Sequence, residues 1–286
     1  MALNIKTNVA SVTTQKNLAT SGSRLNTAYE RLSSGLRINH ARDDAAGLAI
    51  AESLKADSKI ASVAMRNASD GISIISIADG AVGQITTVLS RLAELAEQSA
   101  NGVYSVDQRS ALQLEFTALL SEVERIAYTT EFNGLNLLSS GAIVTFQVGF
   151  DGTSLSRVEY SGVGATLQHL GLAPAGSSAH MYSIIGTTTD ECQSAARFAL
   201  DAVQNAIDSV TRSRGILGSA ESRLELTIQN LQVSRENFIA AESRIRDADV
   251  AEEAANLTAA NVLQQAGTAI LAQANQQPQL ALTLLQ

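Results

Sequence analysis

The residues with chemistry to offer are few and scattered. His40, His169 and His180 are the only histidines. None stands at metal-ligand spacing from another histidine, a cysteine or a carboxylate. The chain contains no His-Glu-x-x-His, no Gly-x-Ser-x-Gly and no Gly-Lys-Ser/Thr loop, the short signatures of zinc hydrolases, serine hydrolases and phosphate-cradling enzymes. Gly162-Val163-Gly164-Ala165-Thr166-Leu167 supplies two thirds of a dinucleotide fingerprint, but its third glycine and the βαβ context are missing. Adjacent carboxylates at Asp43 and Asp44 suit a helix N-terminus, where they cap orphan N–H groups and meet the positive end of the dipole. Cys192 is the only cysteine, so no intrachain disulfide is possible. The residues therefore predict no catalysis, no metal and no cofactor.

Charge narrows the partners. A formal net charge of −8 offers no basic stripe for nucleic acid and no attraction to an anionic membrane surface. The opening MALNIKTNVASV lacks the apolar core of a cleaved secretory signal, and no uninterrupted apolar run is long enough to span a bilayer. Export would then need a dedicated machine. The two ends are alike: Ala254 to Gln286 carries no charged side chain, and Met1 to Ser23 carries only Lys6 and Lys16. Both ends hold apolar residues at helical spacing with little charge to solvate them. Such ends are suited to burial by other copies of the chain.

The elements that position these residues are long helices. Aromatic residues make up 4% of the chain, tryptophan is absent, and Pro174 and Pro278 are the only prolines, a composition of packed helices. Ile75, Ala78, Val82, Ile85, Leu89, Leu92 and Ala96 advance in steps of three and four, and the frame extends back through Gly71, Ala68, Ala64, Ala61, Asp57, Leu54 and Ile50. Leu112, Phe116, Leu119, Val123 and Ile126 repeat the pattern in a shorter helix. Val203, Ile207, Val210, Leu217, Leu224, Ile228, Leu231, Phe238 and Ile245 share one heptad frame, which argues a coiled coil or bundle. Helices from about Asp43 to Ala100 and about Asp190 to Ile245 would each be roughly 85 Å long, a match that predicts antiparallel pairing. Arg214, Glu221, Arg235 and Glu242 occupy one heptad position around Ile228. They either set register or meet a neighbouring subunit, or they lie at a seam edge and reach water.

Between the helical halves the pattern changes. Phe132-Asn133-Gly134 reads as a turn, and Ile143 to Val148 and Arg157 to Tyr160 read as strands joined through Asp151-Gly152. Gly162, Gly164, Gly171, Pro174 and Gly176 mark loops. Ser33-Ser34-Gly35 with Asn39-His40, and Arg244 to Asp249, read as two joints that set off the terminal helices. The expected fold is mainly α, a long antiparallel helical rod with a terminal coiled-coil helix pair and a small central β-hairpin region. The expected domains are residues 1–42 with 246–286, and a rod of 43–245 with its β portion at about 140–186.

Four strings carry a family resemblance: Leu32 to Leu54 (LSSGLRINHARDDAAGLAIAESL), Arg91 to Gly102 (RLAELAEQSANG), Glu131 to Leu138 (EFNGLNLL) and Glu242 to Gln286. They closely resemble bacterial flagellin, of a minimal type without large outer domains. The hook–filament junction protein shares the terminal helices, but QQAGTAILAQANQ near the end favours the filament subunit. A cytosolic coiled-coil scaffold is the reading from a different class. The resemblance implies a self-assembling, extracellular structural protein of the motility filament, exported unfolded through the filament channel. It implies terminal segments that fold on polymerisation and form the inner layer. It also implies partners: further copies of the chain, an export chaperone, the filament cap and the hook-junction proteins.

The same resemblance assigns roles to residues. Arg91, Leu95 and Glu115 correspond to a patch read by an innate immune receptor of the Toll-like class, a face that is otherwise a subunit contact. Gln264, Gln265, Gln273, Asn275, Gln276 and Gln277 are the expected wetting of the channel wall, or else polar contacts between subunits. Leu263, Ile270, Leu271, Leu280, Leu282, Leu284 and Leu285 form an apolar tail, hazardous if exposed, that a chaperone would wrap before export.

Overall fold

The computed structural model describes residues 7–139, 143–174 and 180–283, with no side-chain description at 161 and 277–283. Five α-helices and two small antiparallel sheets occupy these residues: α1 Val9–Ser34, α2 Ala45–Ala100, α3 Val106–Thr129, β1 Glu131–Phe132, β2 Leu135–Asn136, β3 Ile143–Gln147, β4 Arg157–Ser161, α4 Thr189–Arg246 and α5 Val250–Thr283. The mainly α expectation holds, and the long helices start and stop within two residues of the periodicity reading.

The helix ends follow from local chemistry. Asn8 caps α1 by accepting the Ser11 N–H, and Gly35 closes it at φ 71°, a left-handed conformation that glycine adopts without a Cβ penalty. Asp44 Oδ1 accepts the Gly47 N–H at 2.9 Å, and Asp43 Oδ2 accepts those of Asn39 and His40 at 3.2 and 3.0 Å. The paired acids are therefore a turn-former and a cap, and the His40 N–H holds the Asp43 carboxyl below the usual range. Ser105 and Gln108 form a reciprocal capping box on α3. Asn133 at φ 50° and Gly134 at φ 76° make the β1–β2 turn that Asn-Gly predicts. The second hairpin pairs Ile143 with Ser161 through Gln147 with Arg157.

The chain divides into two compact units, Met1–Ser58 with Glu236–Gln286, and Lys59–Arg235. This division falls within α2 and α4 and not at the joints. In the second unit, Ile75, Ala78, Val82, Ile85, Leu89, Leu92 and Ala96 are all fully buried, with Phe116, Val123, Val203, Val210, Leu217 and Leu224 in the same core. Opposed contacts show α2 and α4 antiparallel: Gly71 meets Leu224, Asp79 pairs with Arg214, and Gly102 lies against Gln193. The glycine-marked segment after β4 is not a surface loop over its described residues 162–174. Val163, Ala165, Leu167, Leu170, Leu172, Ala173 and Ile184 are buried in the core, tied down by Glu124 accepting the Leu167 N–H at 2.8 Å and Gln113 accepting the Ile184 N–H at 2.7 Å.

The backward extension of the α2 stripe holds through Gly71, Ala68, Ala64 and Ala61, but Ile50 is 54% exposed and Ala51 is buried instead. Arg109 is fully buried and donates to the carbonyls of Asn101 at 2.9 Å and Thr189 at 3.2 Å. Its guanidinium ties the carbonyl just past the α2 C-terminus, where the helix dipole favours a cation, to the first residue of α4.

The other unit pairs α1 with α5 in antiparallel sense. Asn8 donates to the Ala274 carbonyl at 2.8 Å, Ser11 to Asn275 Oδ1 at 2.8 Å, and Arg31 lies 3.6 Å from Glu253. The two joints meet, which their composition did not predict: Leu36 bridges Asp247, the Arg37 N–H donates to the Arg246 carbonyl at 2.6 Å, and the Ala248 N–H to that of Gly35 at 3.0 Å.

Candidate functional site

The histidines stand apart. His40 lies 2.5 Å from Glu30, His169 Nδ1 is 2.7 Å from the Thr166 hydroxyl, and His180 Nε2 is 3.4 Å from that of Ser121. Among the described residues no group of three or more His, Cys, Asp or Glu side chains could hold a metal. Cys192 is buried, its sulfur within hydrogen-bond reach of Gly186. By length and composition α2 could cross a bilayer, but its stripe of large apolar residues faces the core just described. What remains to act is surface.

The surface with the most to offer is the α1–α5 pair, which leaves much of its apolar area uncovered. Within α1 only Ser11 and Ala28 are buried. On α5 the seam advances by heptads through Glu253, Ala260, Gly267 and Ala274, with a Cβ at Gly267 only 3.1 Å from Leu18. Alanine and glycine at that heptad position allow close approach. The leucines of the same seam, Leu18, Leu25, Leu32, Leu257 and Leu271, are only half-buried, so the pair by itself removes limited apolar area from water. Other large apolar residues lie outside: Val9, Val12, Tyr29, Val262, Leu263 and Ile270 are 52 to 66% exposed. Helices that turn valine, leucine and isoleucine to solvent are prepared for burial by another surface. Sequence reasoning found the low charge of these ends and missed the small residues of the heptad Glu253, Ala260, Gly267 and Ala274 on the seam side.

The amides of α5 do not share one face. Gln264 is half-buried, and Asn275 on the same side accepts the Ser11 hydroxyl. Gln265 and Gln276, eleven residues and about three turns apart, are exposed on a second side, and Gln273 is exposed on a third. A single channel wall cannot take all of them, because a helix turns 100° per residue. The Gln277 side chain is not among those described. In the apolar tail, Leu263 and Ile270 are exposed and Leu271 is half-buried. Leu280 and Leu282 lie on α5 without described side chains, and Leu284 and Leu285 fall outside the described residues.

Arg91 and Glu115 come together and Leu95 does not join them at the surface. Arg91 Nε donates to Glu115 Oε1 at 2.9 Å and Nη1 to Glu94 Oε2 at 2.9 Å, with Arg91 and Glu115 side chains 49% and 45% exposed. Glu94 and then Glu115 raise the pKa of the guanidinium. Leu95 is fully buried, which corrects the expectation of an apolar anchor beside the arginine. Near its C-terminus α2 is covered by the segment after β4 as well: the Ser99 hydroxyl donates to the Ile184 carbonyl at 2.8 Å, so burial spreads beyond one stripe. Of the four charges around Ile228, Arg214 has a defined partner, a bidentate pair with Asp79 at 2.8 and 3.0 Å. Arg214 hydrogen-bonds the Asp79 carboxyl and holds it below the usual range. Glu221 and Glu242 are half-buried and Arg235 exposed.

Comparison with known proteins matches this chain to one family. Family models for the bacterial flagellin N-terminal and C-terminal helical regions match residues 5–142 and 200–285. The flagellin of Halalkalibacterium halodurans is 40% identical over 282 residues, 98% of this chain and 99% of that protein. The flagellin of Bacillus subtilis is 40% identical over 306 residues, covering 99% of this chain and all of its own length. The flagellar filament 33 kDa core protein of Treponema phagedenis is 37% identical over 292 residues, 98% of this chain and 99% of that protein. Among solved structures, Bacillus cereus flagellin aligns with 24% identity and a TM-score of 0.48, over 58% of this chain and 88% of that one. With both helical halves matched in order and full-length relatives at this identity, the chain belongs to the bacterial flagellin family.

Proposed function

We propose that this protein is a structural subunit of the bacterial flagellar filament, assembling with copies of itself into the helical polymer that serves motility. The observation that carries the reading is the incompletely buried α1–α5 pair, whose seam leucines are only half-buried and which turns Val9, Val12, Val262, Leu263 and Ile270 outward. A pair so built gains little from its own burial and much from neighbours. Residues 1–42 and 246–286 are proposed as the inner layer of the filament. Gln265 and Gln276 are the proposed channel lining, since uncharged amides wet a wall without holding charged cargo. The extracellular filament is the place of action, reached unfolded through the channel.

The relatives that span the chain are named flagellin or filament core protein, which supports the filament subunit over the hook–filament junction protein and over a cytosolic scaffold. The exposed Leu263 and Ile270 support a chaperone-bound tail before export, and the cap and hook-junction proteins are further proposed partners. Electron microscopy of purified protein after nucleation by salting out tests the reading: open helical filaments are expected, and a discrete soluble oligomer under every condition refutes it. Deleting Leu280–Gln286 is expected to abolish polymerisation and weaken chaperone binding; normal filaments would remove the tail from assembly. Arg91 with Glu115 is the proposed part of the surface patch read by a Toll-like receptor, supported by an exposed, oriented guanidinium beside a carboxylate.

A further inference from the structure

The β3–β4 hairpin rests on two helices at once. A Cβ on Gly71 of α2 would lie 3.0 Å from Leu224 of α4 and 3.2 Å from Phe146 of the hairpin, so the bare glycine is what lets the three approach. Asn67 anchors the α2 side by donating to the Gln147 carbonyl at 3.0 Å. Straddling leaves a groove on each flank. Toward α4 it is about 570 Å³, rimmed by Arg157 and Arg223 and lined in part by Leu155 and Leu226. Toward α2 it is about 260 Å³, lined by Ile60, Val63, Ala64 and Asn67 with Lys59 at its rim and no acidic residue. That is below the roughly 300–1,000 Å³ of a small-molecule pocket, and it suits one inserted side chain.

Leu155 is 95% exposed in the 3-10 turn Ser154–Ser156 between the strands. A leucine so placed gives its own fold no burial. The same loop carries Asp151, whose carboxylate accepts the hydroxyls of Ser156 and Thr153.

We propose that Leu155 is a knob that enters the α2-side groove of a second copy of this chain, where Asp151 of the knob loop meets Lys59 at the groove rim. Three features select a second copy. The knob is aliphatic and the groove floor, Ile60, Val63 and Ala64, is aliphatic. Asp151 stands in the knob loop itself, ahead of the Arg157 and Arg223 on that flank, and the groove offers Lys59 with no acid of its own to compete. Knob and groove also belong to opposite flanks of one hairpin, so a neighbour displaced in a constant direction satisfies both. Repetition of such a head-to-tail contact makes an open array. The inference rests on the filament-subunit reading and names one contact that reading requires.

Cysteine crosslinking tests it on the full chain. Filaments grown from an equal mixture of Leu155→Cys and Val63→Cys chains are oxidised and their bridges located by mass spectrometry. A 155–63 bridge is expected in mixed filaments, and none in monomer or in filaments of either variant alone. Cys192 is buried and does not compete. Leu155→Asp, with an unchanged monomer melting midpoint, is expected to raise the critical concentration for growth by roughly tenfold or more, while Leu155→Met stays near the native value. Mixed filaments without the bridge, a 155–155 bridge, or Leu155→Asp filaments at the native concentration would each overturn the contact and leave the filament reading intact. Failure of the native chain to grow overturns the parent reading, a distinct result.

Discussion

Deleting residues 1–34 separates the stability of the chain from its capacity to assemble. The deletion removes α1, which buries only Ser11 and Ala28 and is joined to α5 by Asn8–Ala274, Ser11–Asn275 and Arg31–Glu253. The Ala28 methyl contributes about 0.8 kcal/mol, the half-buried Leu18, Leu25 and Leu32 about 1 kcal/mol each, and each partly exposed polar link about 0–1 kcal/mol. Fixing the backbone of each helical residue costs roughly 1–2 kcal/mol, largely offset by the helix's own bonds and burial elsewhere, and α1 has 26 such residues with little burial to draw on. The net contribution of the pairing is therefore close to zero. The core of Lys59–Arg235 is untouched, and its unfolding midpoint is expected to move by less than about 2 °C.

The control is Leu92→Ala. Leu92 is fully buried in that core, the truncation costs about 2–5 kcal/mol, and at roughly 2–4 °C per kcal/mol the midpoint falls by about 4–20 °C. Circular dichroism melts of the three monomers, followed by nucleated growth, give the comparison. The truncated chain is expected to keep its cooperative transition and to form no filaments. A midpoint lowered as far as in Leu92→Ala would show that α1 belongs to the folded core and refute the reasoning. Filaments from the truncated chain would refute the assembly role of α1.

Hydrogen exchange on the intact monomer is expected to find α1 and α5 nearly unprotected and the α2–α4 core slow, with protection of both ends appearing in filaments; slow ends in the monomer count against this. Asp79 gives a pH test. Its folded pKa is lowered by Arg214, so its contribution is present above the unfolded value of about 3.9 and is lost as pH falls through the folded value. With the pair 48% and 35% exposed, Asp79→Asn is expected to cost less than about 1 kcal/mol at neutral pH and less still as pH falls through the folded value; equal costs in urea melts at neutral and acid pH would refute the linkage. In a receptor reporter assay on monomer, Arg91→Ala and Glu115→Gln are expected to reduce signalling at unchanged melting midpoints. Leu95→Ala cannot serve there, since it truncates a core residue. Unchanged signalling in both variants ends the receptor role and leaves the structural one.

The sequence by itself determined whatever depends on neighbours along the chain. Steps of three and four from Ile75 to Ala96 allow one helix face, and that face is buried. Asn133-Gly134 demands a turn with positive φ, and Ser34-Gly35 ends α1 because glycine alone takes the left-handed cap without strain. The two joints could be read from composition, and they meet at Leu36 and Asp247. The tertiary structure alone decided what depends on a third layer. The residues from Val163 to Ala173 have no period, so nothing in their spacing announces that they enter the core. Ile184 likewise meets α2 at Ser99, and Leu95 is buried while Arg91, four residues away on the same helix, stays half-exposed. Arg109 is buried for a similar reason: its partners are carbonyls at the ends of two other helices, and backbone acceptors leave no mark in a sequence. The position of Leu155 also required the hairpin to be docked before one exposed leucine could be distinguished from a packed one. Local rules fix where helices begin and end, but burial is a property of every element that packs on them, and distant segments supply it.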